Sequence, residues 1–398
     1  MRKNYLDIEM RVDLSNDVLY NIVHEIYNSP LFQHNVLLGS QRGKPPCIIV
    51  GIGRSGGTLM EYYGNRLNDK EKKFYLKILD TLQRRLLFVK ADGIMEQQSF
   101  LKCISAVQYD YPNLFYVDFS HYTYVAYDDG WEYRPHYLYE NKEISRKQQQ
   151  IDVLVKRIVL EMQKRGLSSV YQKCGYIHSY LVRNCTYDYE ALDDSKNRSM
   201  AYTIEGPLLE RTGVCLGIAL AYSLICKSCG INAITVEGRS LRPGTSAYEG
   251  HAWNLIQVGE SAAHVDVTWD MCLTNPAWPI RYDYFFLPDI DMMRDHHYVR
   301  YPICRKLKAN YYQRSSSQFQ ELKELDDFIK NFFRSEENWD QPGTYFFQFR
   351  MCNRKETEDD IKNHVKKLIR NFTNKSYSYT VSINSPQSVF SYKIEITD

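Results

Sequence analysis

The sequence is short of most features that assign a chain at a glance. No window approaches the roughly 18 uninterrupted apolar residues of a membrane-spanning helix. The first segment, MRKNYLDIEMRVDLSND, breaks each short apolar run with acids and does not read as a signal peptide. Together these absences predict a cytoplasmic chain that enters no membrane. An excess of one charge is missing too: 50 Lys and Arg stand against 48 Asp and Glu, leaving no field to gather DNA, RNA or an anionic lipid surface. No nucleic acid partner is expected. The ten cysteines are scattered rather than densely paired, which argues against a disulfide scaffold and for a reducing compartment. The one C-x-x-C, Cys226 and Cys229, falls in an apolar helical stretch with no second Cys or His pair nearby, so it does not read as a zinc or redox motif. No metal and no cofactor are expected.

What is present is an ordinary globular composition, 44% hydrophobic and 25% charged, over 398 residues, long enough for two or three packed units. The 33 tyrosines suit aromatic-rich sheets or a peptide or glycan groove, and distinguish none of these. The chain opens with a predicted strand over 5–13 and a helix over 15–29 capped by Ser15 or Asn16. Gly51, Gly53 and Gly56 in CIIVGIGRSGG spell a dinucleotide fingerprint. However, no clear helical stripe follows, and no second strand ends in an acid about 20 residues on, so the segment reads as a loop. Asp69 reads as the cap of a helix carrying Phe74, Ile78, Leu82 and Leu86 at steps of four, and a second helix covers 94–109. A hairpin turns at Asp129-Gly130. Helices at 144–165 and 168–183 lead to RTGVCLGIALAYSLICKSCG, and strands at 234–239, 251–258 and 262–269 follow. Beyond about 305 comes a charged stretch and then a strand, helix, strand, strand unit whose rhythm echoes the N-terminus without shared identities that would prove a repeat.

Three residues in that middle region fit one chemistry. Cys215 begins an apolar helix, where unpaired backbone amides favour thiolate over thiol. His251 and Asp266 lie on two strands joined at Gly259-Glu260, a turn expected to set them opposite each other so that the carboxylate orients the ring. Nucleophile, general base and orienting acid are then all supplied. Each residue alone has a blander reading: a packed cysteine, a half-buried histidine, a strand-end acid. Gly213 and Gly217 flank the thiol and are expected to leave backbone room for a substrate carbonyl, with Gly250 before the histidine. Asp270 competes with Asp266, four residues along on the same strand face but past the register of His251; Asp266 is preferred.

The stretches GVCLGIALAYSLICKSCGINAITVEG, EGHAWNLIQV and HVDVTWD resemble the three core motifs of the transglutaminase-like superfamily. The resemblance is strong over 168–300, from the AYTIEGPLLE lead-in to the tail RYDYFFLPDIDMMRDH, and weaker upstream. It implies a papain-like α+β core, with the Cys helix packed on an antiparallel sheet carrying His and Asp, flanked by α/β regions. It also implies Cys215 as nucleophile, His251 as base and Asp266 as orienting group. Where many members have Tyr or Phe after the Cys-x-Gly step, this chain has Ile218, which is expected to alter a pocket wall. For the oxyanion, the Cys215 backbone N–H and an upstream side chain, Tyr202, are the candidates, while Trp253 and Trp269 are expected to pack as walls beside the triad.

The resulting layout is an α/β region over 1–143, a catalytic domain over 144–304 and a small α/β unit over 305–398. The expected activity is thiol-dependent acyl transfer on a peptide or protein substrate, by hydrolysis first and cross-linking second. The rival expectation is a binding module that keeps the fold with a silent triad.

Overall fold

The structure, a computed structural model, describes residues 8–10, 35–39, 47–51, 61–93, 95–193, 198–241, 247–298, 302–304, 310–335, 341–352 and 355–397. The predicted helix over 15–29 with its Ser15 or Asn16 cap, and the fingerprint positions Gly53 and Gly56, lie outside the described residues. Strands β1 (Ile8–Met10), β2 (Asn35–Gly39) and β3 (Cys47–Gly51) form an antiparallel sheet in the order β1-β3-β2. The strand that would precede a dinucleotide loop is therefore antiparallel to both neighbours, not part of the parallel pair that such a loop requires.

Helix α1 (Asp69–Arg84) starts one residue earlier than expected. Asn68, not Asp69, is its cap, accepting from the Lys70 and Glu71 amides while the Glu71 carboxylate takes the Asn68 N–H. The helix stops where Arg85 turns left-handed, at φ 58°, so Leu86 leaves the apolar stripe. Strand β4 (Val89–Lys90) and helix α2 (Gln97–Asp110) follow. The expected hairpin is β5 (Val117–Tyr127) with β6 (Gly130–Tyr137), and β4 pairs with β6.

Helices α3 (Asn141–Lys164) and α4 (Val170–Asn184) then lead to short strands β7 (Thr186–Tyr187) and β8 (Thr212–Gly213), which pair in parallel. Helix α5 (Cys215–Ser228) packs on a five-stranded antiparallel sheet. That sheet comprises β9 (Ala233–Leu241), β10 (Tyr248–Val258), β11 (Ser261–Val265), β12 (Phe285–Leu287) and β13 (His296–His297), in the order β12-β11-β10-β9-β13. Between β11 and β12 lies helix α6 (Val267–Leu273). The C-terminal unit joins β14 (Gln318–Phe319), helix α7 (Leu322–Ser335), β15 (Gly343–Met351), helix α8 (Glu358–Arg370), β16 (Ser376–Asn384) and β17 (Val389–Thr397), with sheet order β14-β15-β17-β16. No helix among the described residues is long and apolar enough to cross a membrane.

The fold is α+β, and its cores follow from these pairings. One apolar cluster runs from Phe74 and Ile78 of α1 through Ile151 and Val155 of α3 to Tyr222, Val265 and Phe285. It spans position 143/144, where the sequence suggested a division. A second cluster, Phe319 to Ile396, closes the C-terminal sheet under α7 and α8. The α5 helix is apolar nearly all round because it is covered on every side: Ile218, Leu220, Ala221, Tyr222 and Ile225 are all buried. Ile218 is thus a core residue at 1% exposure and forms no pocket wall, which corrects the sequence expectation.

The glycines beside Cys215 also have a different reason from the expected one. A Cβ at Gly217 would stand 2.2 Å from the Ala201 carbonyl oxygen and 2.8 Å from that of Thr203, and one at Gly213 would meet Pro207 at 2.9 Å. The missing side chain of Gly217 admits the 199–203 backbone against α5, and that of Gly213 admits the Pro207 ring, rather than a substrate carbonyl. Gly217→Ala is expected to destabilise the protein by about 1–3 kcal/mol or more through overpacking against backbone that cannot rotate away. Gly250→Ala, where nothing stands within 4 Å, should stay within about 0.5 kcal/mol of wild type. Urea unfolding of the two variants checks the contrast.

Candidate active site

The site is assembled from the start of α5, the middle of β10 and the end of β11. At the first of these, β8 delivers the chain into α5 by pairing Gly213 with Tyr187, and the Val214 N–H donates to the Ala201 carbonyl at 3.1 Å. Val214 is the N-cap and offers no capping side chain, so the first-turn amides and the positive end of the helix dipole act on Cys215, the first helical residue. Cys215 is half-buried, whereas Cys103, Cys174, Cys185, Cys226 and Cys304 are buried.

Strand β10 carries His251, at 9% exposure, and three residues later Asn254. The Asn254 amide donates to the Ala219 carbonyl of α5 at 2.9 Å and to the Ile234 carbonyl of β9 at 3.2 Å, which fixes the height of the Cys helix over the strand carrying His251. Sequence reasoning gave Asn254 no role. Its signal was a polar residue inside the otherwise apolar run WNLI.

Strand β11 ends sooner than the alternating pattern VDVTW predicts. It stops at Val265, and Asp266 becomes the N-cap of α6, accepting from the Trp269 N–H at 3.0 Å with Oδ1. The β10–β11 register pairs Asn254 with Val265, so Asp266 comes level with Trp253, two residues from His251 along the same face. The pair is therefore diagonal, not opposite. The carboxylate still reaches: Asp266 Oδ2 lies 2.6 Å from His251 Nε2. Cys215 lies near enough to the same ring to raise its pKa further. Asp270, expected on the same strand face, lies on α6 and is buried against His178 Nε2 at 2.9 Å, with no share in this arrangement.

Electrostatics follow the geometry. Burial by itself would lower the His251 value, but the Asp266 charge and hydrogen bond, with smaller contributions from Cys215, push it up to about 10. Burial likewise opposes ionisation of Asp266, and the two histidines His251 and His296 outweigh it, holding the carboxyl well below its ordinary range. Trp253, 1% exposed, stacks behind the His251 ring at 5.8 Å between centroids, and the half-buried Trp269 meets it edge-on at 6.2 Å.

One expectation about the rest of the site changes. The Tyr202 hydroxyl donates to the Ala191 carbonyl at 2.9 Å, so it is engaged in holding its own loop and is not the oxyanion donor. Tyr187 lies near enough to Cys215 for their charges to interact, and burial first, then that cysteine, keep its phenol protonated. His296 also meets Asp266, with Nε2 at 3.1 Å from the same Oδ2. It sits in a two-residue strand paired to Ser240, a placement with no periodicity to reveal it.

Two sets of side chains bring potential metal donors within 4.8 Å of one another: His251, Asp266 and His296, and His264, Asp289 and Cys304. In each set hydrogen bonds already account for the donors. Trp253 Nε1–H donates to His264 Nδ1 at 3.0 Å, which leaves the ring proton on Nε2 facing Asp289 Oδ1 at 2.8 Å. We assign a metal to neither.

Residues 158–267 match the model of the transglutaminase-like superfamily. Among solved structures, the chain is similar to a provisionally assigned cysteine protease from Cytophaga hutchinsonii, with 26% identity over 30% of this chain and 38% of that one, at a TM-score of 0.25. It is also similar to a structure described as a TGase, with 12% identity over 67% of this chain and 51% of the other, at a TM-score of 0.26. The chain thus spans between two fifths and about half of the length of these two. No curated protein matches it.

The ion pair has a stability signature. The folded His251 value of about 10 exceeds the unfolded value of about 6.5, so its contribution is complete below pH 6.5 and is lost as pH rises through 10. His296 is raised as well and adds to the same limb. Unfolding free energy should therefore fall from pH 7 to 10, by up to about 1.4 kcal/mol per pH unit for each proton involved. Asp266→Asn should flatten that limb. Urea titrations across the window check it, and an unchanged slope in the variant would contradict the pairing.

Proposed function

We propose that this transglutaminase-like domain is a thiol acyl-transfer enzyme acting on peptide or protein amides, with Cys215 as nucleophile, His251 as proton carrier and Asp266 as the group that orients it. The observation that carries the reading is the His251 ring held by Asp266 Oδ2 at 2.6 Å and lying near enough to Cys215, at the start of α5, for the two to interact. A carboxylate on one ring nitrogen leaves the other to take the thiol proton, and a helix N-terminus favours the resulting thiolate.

The Cys215 sulfur then attacks an amide carbonyl, and the carbonyl oxygen gains the negative charge of a tetrahedral intermediate. The Cys215 N–H is one donor to that oxygen and Tyr187, in place of Tyr202, is the candidate second. As the C–N bond breaks, the His251 proton passes to the leaving amine and a thioester remains on Cys215. Water, or a second amine, gives its proton to His251 and displaces the thiol. Hydrolysis is our preferred outcome, with amine transfer second.

Intact-mass analysis during turnover of a peptide library tests this. The wild type should accumulate an acyl adduct mapped to Cys215, absent from Cys215→Ala. Tyr187→Phe should lower kcat by about 10²-fold with little change in KM if its hydroxyl serves the oxyanion. An adduct that persists in Cys215→Ala would end the proposal, and an unchanged kcat in Tyr187→Phe would remove that residue from it.

A further inference from the structure

Beyond the three residues of the proposed mechanism, the hydrogen bonds continue outward from Asp266. His296 is fully buried, and both of its ring nitrogens face carboxylates: Nε2 lies 3.1 Å from Asp266 Oδ2 and Nδ1 lies 2.7 Å from Asp295 Oδ1. A carboxylate oxygen only accepts. A neutral imidazole has one N–H, so one of these contacts would set a ring lone pair against an anion; two N–H groups satisfy both. Asp295 is held in turn from the C-terminal unit. The Gln387 amide, fully buried in the β16–β17 turn, donates to Asp295 Oδ1 at 3.3 Å and to the Asp291 carbonyl at 3.0 Å. Tyr284 donates to Asp295 Oδ2 at 2.5 Å while its hydroxyl also lies 3.4 Å from Asn384 at the end of β16. Arg350 fixes Gln387 itself, through the backbone carbonyl at 3.0 Å and the side-chain oxygen at 3.2 Å.

We propose that His296 is a positioning residue of the site, a doubly protonated ring clamped between Asp266 and Asp295. Through Gln387 the C-terminal sheet holds the far end of that clamp, and so takes part in setting the reactivity of Cys215. This inference rests on the Cys215–His251–Asp266 reading. The titratable groups that face His296 are Asp266, Asp295, His251, His264 and His297, with the Tyr284 and Trp253 rings against its faces. Asp266 and Asp295 together balance the charges of His296 and His251, and Asp295 faces His296 alone of the two rings, so the cation is retained. It does two things. It fixes the rotation of Asp266 so that Oδ2 meets His251, and it adds a positive charge on the thiolate side of the balance.

The test is the pH profile of Cys215 alkylation by iodoacetamide in the full chain, with His296→Gln, Gln387→Leu and, as a control at the same interface but off this chain, Ser382→Ala. His296→Gln keeps an amide donor but no charge, and its acid limb should move up by about one pH unit, a roughly tenfold slower reaction at pH 6. Gln387→Leu should move it in the same direction by less, and Ser382→Ala not at all. Unshifted profiles in folded His296→Gln and Gln387→Leu, beside an activated wild type, would overturn this inference and leave the triad standing. A wild-type profile of an ordinary thiol would overturn both. If the variants do not fold, ¹⁵N-histidine NMR of the wild type decides: two protonated ring nitrogens on His296 at pH 8 support the clamp, and one overturns it.

Discussion

Everything in this site depends on a single oxygen atom. Asp266 Oδ2 accepts from His251 at 2.6 Å and from His296 at 3.1 Å, while Oδ1 caps α6 through the Trp269 N–H. An ionised carboxyl with no exposed surface costs several kcal/mol unless charge and hydrogen bonds compensate it. Here two histidines and a helix N-terminus do so together. The same three contacts that make burial tolerable also fix the direction of the carboxylate, so stability and orientation have one origin.

The fold delivers those partners by breaking its own regularity. Strand β11 ends at Val265 so that Asp266 can cap a helix, and β13 is only two residues long, enough to bring His296 alongside β9. The C-terminal sheet meets this region through buried charges as well as through the Trp278–Phe346 ring contact. Arg281 pairs with Asp283 at 2.5 Å and reaches Ser382 at 3.1 Å, and Arg350 pairs with Asp291 at 2.9 Å. Both arginines are 1% exposed. Removing one partner of such a pair strands the other without water, which makes the contact specific in register even where its net stabilisation is small. A polar contact of this kind suits a unit whose place must be set to within a hydrogen bond.

Much of the frame was legible in the sequence because it rests on local patterns. Cys215 at the head of an apolar helix, the β10–β11 hairpin and the helices over 141–184 follow from periodicity and turn residues. What was not legible depends on contacts distant in sequence. Val267 and Thr268 are β-branched, so VDVTW reads as strand, and only the capping bond to Trp269 turns it into a helix start. Gly217 reads as room for a ligand until the 199–203 backbone is seen filling that room. Tyr202 looked suitable by position, and its hydroxyl turned out to be engaged with Ala191. His296 lies 30 residues from Asp266, in a segment too short to show any period. Gln387 approaches from a separate sheet altogether.

Whether His251 activates Cys215 is decided by competitive alkylation. At pH 6, limiting iodoacetamide followed by peptide mapping ranks the cysteines by rate within one sample. Activation predicts that Cys215 reacts far faster than Cys272, whose thiol burial pushes up to about 11, and that His251→Ala slows Cys215 while leaving Cys272 unchanged. If Cys215 reacts no faster than Cys272, accessibility alone governs the thiols, and the arrangement around Asp266 is structural only.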